Sequence, residues 1–63
     1  ALPMTYDAQL ILSRQCIAVA LLALARGDDL TAWHLAKLDP LLSADASKEA
    51  WLAWARKQLE ARG

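Results

Sequence analysis

Several residue types that would staple or arm a small protein are scarce in this chain. It has 63 residues and one cysteine, Cys16, so no disulfide can form within it. A single histidine, His34, beside that single cysteine leaves no His/Cys set for a structural metal. Two glycines are too few for a Gly-rich phosphate loop, and phenylalanine is absent. Neither charge dominates: seven basic residues face seven acidic ones. A nucleic-acid binder normally carries a basic excess or a basic face, so the balance does not favour one. The lone cysteine fits a reducing compartment, and a cytoplasmic location is expected.

Apolar residues, by contrast, are abundant. They make up 57% of the chain, and three tryptophans stand among many Ala and Leu. A single core in a chain this short rarely supplies more than ~3–5 kcal/mol, so small domains usually need a staple. With disulfide and metal both set aside, self-association is the staple that remains. Heavy use of Ala, Leu and Arg fits a GC-rich bacterial, phage or plasmid gene. Residues 1–3, ahead of Met4, read as a tag remnant or a disordered N-terminus; 4–63 read as one helical domain.

The stretch Gln9 to Ala25, QLILSRQCIAVALLALA, is the organising element. Residues 6 to 26 hold no Gly or Pro and are rich in good helix formers. Thr5 or Asp7 can cap the start, and Gly27 can take the left-handed conformation that ends the helix. Apolar residues lie nearly all round it, so it must be covered on more than one side. The uninterrupted apolar run, Cys16 to Ala25, is short of a membrane span, and Arg14 would be costly inside a bilayer. No span is expected, and no basic leader marks a signal peptide.

Gly27-Asp28-Asp29 predicts a turn, with either Asp capping a second helix from about Leu30 to Leu38. On that helix Thr31, Leu35, Leu38 and Leu42 form one stripe, with Trp33 and Lys37 on the other side. Asp39-Pro40 breaks the helix, and Pro40 to Leu42 reads as a short turn. A third helix runs from about Ala46 to Ala61. Its stripe is Leu52, Ala55 and Leu59, extended by Trp51, while Trp54 lies round toward the far side. The expected fold is therefore an all-α, small three-helix bundle completed by homodimerisation.

No catalytic residue, cofactor or metal site is expected. Cys16 lies on the apolar helix and reads as a small core residue; nothing near it in sequence would stabilise a thiolate. His34 lacks a partner base, acid or nucleophile and reads as a partly exposed helical side chain. The residues expected at a protein interface are Arg14, Trp33, His34, Lys37 and Trp54, because Trp and Arg are the usual anchors of binding. Arg14 either snorkels or pairs with Asp7 of a second copy or with a partner's carboxylate.

Two functions fit. The first is a non-enzymatic interaction module, a dimeric helical adaptor or inhibitor that binds and modulates another protein. The second is a helix-turn-helix DNA-binding regulator, with Leu35 to Leu38 before the turn and Ser47 to Arg62 after it. That layout lacks the usual turn glycine, and the start of its reading helix, Ala46 to Trp51, is poor in base-reading residues.

Overall fold

The computed structural model describes residues 4–63, so the reading of residues 1–3 as a tag remnant lies outside them. Among the described residues there are three helices and no strand: α1 (Tyr6–Ala25), α2 (Asp29–Ala36) and α3 (Lys48–Arg62).

The helix ends follow local chemistry. Thr5 caps α1, its Oγ1 accepting from the Ala8 N–H at 3.2 Å. At the other end Gly27 has φ +84°, the left-handed conformation. The Gly27 N–H donates to the Leu24 carbonyl at 2.9 Å and the Asp28 N–H to the Ala23 carbonyl at 3.1 Å, a Schellman closure. Asp28 then caps α2 by accepting from the Thr31 N–H at 3.1 Å. One short connection thus ends α1 and starts α2, folding α2 back along it.

From Lys37 to Ser47 the chain runs without helix. Asp39 holds the turn at Pro40: its Oδ1 accepts from the Leu41 N–H at 2.8 Å and its carbonyl from the Leu42 N–H at 3.2 Å. Ser47 caps α3, accepting from the Ala50 N–H at 3.1 Å. This connection is much longer than the three- or four-residue turn of a helix-turn-helix.

The core consists of Ala20, Leu21 and Leu24 from α1, Ala32 and Ala36 from α2, and Trp51, Leu52 and Ala55 from α3. Its most deeply buried members, Ala20, Ala32, Ala36 and Ala55, are all alanines at 0–1% exposure. Small side chains let helix axes approach toward the short end of the usual ~8–10 Å. The larger residues, Ile17, Trp33, Leu35, Leu42 and Leu59, pack around this centre half-buried.

The buried face of α2 matches the expected stripe only in part: Leu35 and Leu42 pack against the core half-buried. Ala32 and Ala36 face the core, while Thr31 and Leu38 are exposed, Leu38 at 66%. Trp33, expected on the far side, packs against the core instead.

The molecule is elongated, 37 × 23 × 17 Å. A 20-residue helix spans ~30 Å, and α2 and α3 cover only part of α1. No residue of α1 before Ser13 is buried.

Candidate functional site

Two surfaces stand out, and α1 contributes to both. The first is its outer face. Ile11, Val19 and Leu22 are 60%, 48% and 61% exposed there. Helical geometry at about 100° per residue sets Ala18 and Ala25 beside them, away from Leu24 and Ala20; both alanines are exposed. The expectation that α1 is apolar on two sides thus has a structural counterpart: one side joins the core and the other is open.

By length and composition α1 is also able to cross a membrane. It has 20 residues and a mean hydropathy of 1.7 in its most apolar stretch, of which 22% is buried. The sequence reading sets a span aside because the uninterrupted run is only Cys16 to Ala25 and the longer stretch carries Arg14.

The second surface is a groove between α1 and α3, closed at one end by the connection. One half, about 290 Å³, is lined by Ile17, Leu41, Leu42, Trp51 and Trp54 together with the polar Ser13, Asp39 and Ser43. The other, about 300 Å³, is lined by Arg14, Ile17, Ala18, Trp54, Gln58 and Arg62. Ile17 and Trp54 line both halves, so the two hollows adjoin along the same groove with Trp54 between them. Trp54 is 42% exposed. Its ring centroid lies 6.2 Å from that of buried Trp51, tilted by 50°.

Of the residues expected at an interface, Arg14 and Trp54 come together in this groove. Trp33 and Lys37 form a separate pair on α2, with the Lys37 ammonium 5.9 Å from the Trp33 ring centroid. That distance suits a weak cation–π contact. Trp33 also lies 6.1 Å from Trp51, so Trp33, Trp51 and Trp54 form a row of neighbouring rings. His34 stands apart, exposed on the side of α2 away from Ala32 and Ala36.

Arg14 and Asp7 are both exposed, and the one ion pair among the described residues is Arg56 with Asp29. Sequence reasoning passed over Gln58 and Arg62 as candidates for an interface. The spacing of Trp54, Gln58 and Arg62, four residues apart each time, sets them on one face of α3 and is the signal that would have found them.

One carboxyl has a displaced titration. A side-chain hydrogen bond with Thr31 holds Asp28 below its ordinary value of 3.8, helped by the Thr31 backbone bond and by His34 nearby. No group of three or more His, Cys, Asp or Glu able to hold a metal occurs among the described residues. Compared with known proteins, the chain matches no family model, no curated protein and no solved structure.

Proposed function

We propose that this chain is a non-enzymatic protein-interaction module: a small helical homodimer that binds another protein and modulates it as an adaptor or inhibitor. The observation that carries the reading is the two-sided apolar character of α1. Its inner side completes the core, while its outer side leaves Ile11, Val19 and Leu22 open to water. Exposed large apolar side chains gathered on one helix face, with Gln15 the polar residue among them, are what a contact surface presents. A second copy is its simplest cover, since two-fold homodimers are the commonest oligomers, and the exposed Ala25 beside Leu22 would let two α1 helices approach closely at that end. The groove around Trp54 remains for a partner protein.

A membrane is the competing cover for α1. Insertion across a bilayer would strip Ala32, Ala36, Trp51 and Leu52 of the surface they pack on. It would also bring Arg14 into hydrocarbon, at a cost of several kcal/mol. The DNA-binding reading has less support, because the long connection from Lys37 to Ser47 replaces the short turn that such a unit uses.

Size-exclusion chromatography with light scattering tests the dimer directly. The expected mass is twice 6.9 kDa, with a melting temperature that rises with protein concentration because assembly is linked to folding. A 6.9 kDa particle whose melting temperature ignores concentration refutes it. Titration with random-sequence duplex DNA tests the alternative, since phosphate binding weakens steeply as salt is raised.

A further inference from the structure

We propose that the Trp54 groove receives the apolar face of an acidic helical segment of the partner protein, with Arg14 and Arg62 pairing its carboxylates. This rests on the interaction-module reading and assigns its partner a chemistry. The half of the groove nearer Arg62 brings two guanidinium groups, the Gln58 amide and the Trp54 indole to one surface floored by Ile17 and Ala18. No carboxylate lines that half. Neither arginine is paired among the described residues, whose one ion pair uses Arg56. The positive charge there is therefore unanswered.

The other half supplies the anchor pocket. Leu41, Leu42, Ile17, Trp51 and Trp54 enclose about 290 Å³, space enough for one large aliphatic or aromatic side chain. Small-molecule pockets bury most of their ligand in ~300–1,000 Å³. Each half here sits at or below the bottom of that range and is open, which suits a side chain carried on a partner's helix. With no strand among the described residues to be extended, strand addition is set aside, and an apolar groove between two helices suits a third helix that lays its apolar face there.

Charge also sets the direction. Asp39 lies at the anchor end, with its Oδ1 engaged by the Leu41 N–H. The bound segment should therefore place its carboxylates at the Arg14–Arg62 end, away from Asp39. Trp and Arg are the residue types that carry most binding energy at such contacts.

The test uses the whole chain, labelled with nitrogen-15, and two short amphipathic helical peptides. Both lack Trp and share the same Leu face; one has Glu on its polar face and the other Lys. The Glu peptide should shift the indole N–H signal of Trp54 saturably, and the Lys peptide should bind at least about tenfold more weakly. The double variant Arg14→Gln, Arg62→Gln should weaken the Glu peptide by about tenfold or more. Both arginines are exposed, so circular dichroism should report an unchanged fold. Equal binding of the two peptides, indifference to the double variant, or an unmoved Trp54 signal at saturating peptide would each overturn the proposal. Light scattering on the same samples separates the two readings. A dimer that ignores the Glu peptide sinks the groove assignment alone; a monomer that binds it sinks the dimer alone.

Discussion

Arg56 of α3 donates from Nη2 to Oδ2 of Asp29, the first residue of α2. The bond joins elements far apart in sequence and ties α3 to the first turn of α2, directly after its Schellman connection. An eight-residue helix is too short to persist alone in water, so α2 depends on such ties and on its buried alanines. The two side chains are 52% and 41% exposed, however, and an exposed pair contributes only ~0.2–1 kcal/mol. A double-mutant cycle of Arg56→Ala with Asp29→Ala should return a coupling within that range that shrinks as salt is added. A larger coupling, or one indifferent to salt, would mean that the pair is shielded from water.

Trp51 and Trp54 are neighbours with opposite roles. Trp51 is 7% exposed and sits in the core. Truncating a buried Trp to Ala costs ~3–5 kcal/mol, as much as the ~3–5 kcal/mol a single core in so short a chain supplies. Trp51→Ala should therefore abolish cooperative melting. Trp54→Ala should cost only about 1 kcal/mol, the scale of one aromatic pair. Its helical circular-dichroism signal should persist while partner binding weakens. Loss of the fold in Trp54→Ala would place that ring in the core.

What was legible in the sequence was local. Thr5, Gly27, Asp28, Asp39 and Ser47 act through backbone groups a few residues away, so their roles can be read without a fold. The buried face of α2 could not be read this way. Leu30 and Leu38 outweigh Ala32 and Ala36 in hydrophobicity, yet the alanines are buried and those two leucines are exposed. Which side of α2 is buried depends on how it docks on α1 and α3, which is a tertiary quantity. Trp33 was misplaced for the same reason. The groove was hidden more completely, since Ser13, Leu41 and Arg62 meet only once α1, the connection and α3 are assembled. Only the regular spacing of Trp54, Gln58 and Arg62 pointed toward it.

Gly27 offers a clean test of the connection. At φ +84° any residue with a Cβ is strained, yet a Cβ built there would meet nothing within 4 Å. The cost of Gly27→Ala is therefore backbone alone, about 1 kcal/mol. Chemical denaturation should show that loss with an unchanged denaturant slope. A neutral or stabilising result would mean that the connection does not hold its left-handed residue in solution.

Asp28 should give stability a specific acid limb. Its carboxyl is held below its ordinary 3.8, chiefly by the Thr31 side-chain hydrogen bond. A depressed carboxylate contributes stability that is full above its unfolded value and lost as pH falls through the folded one. The loss thus begins as pH drops past 3.8 and continues below it. Asp28→Asn keeps an acceptor for the Thr31 N–H but does not titrate. Its melting temperature should fall less steeply than wild type across that window. Parallel curves would assign the acid limb to other carboxylates.

The outer face of α1 supplies the decisive substitution. Leu22 is 61% exposed, whereas its neighbour Leu21 is 2% exposed. Leu and Glu have similar helix propensity, so Leu22→Glu should leave the helix intact. Surface changes of this kind shift the stability of a folded monomer by about 0.5 kcal/mol or less. In a two-fold dimer the same change sets a charge from each copy into an apolar contact, where burial without a partner is costly. Leu22→Glu should therefore yield a helical monomer with a lower, concentration-independent melting temperature. Leu21→Glu should unfold outright, because its charge would enter the core. Should Leu22→Glu keep the wild-type mass while Leu21→Glu unfolds, the contact between copies lies elsewhere, and the open face of α1 is reserved for a different molecule.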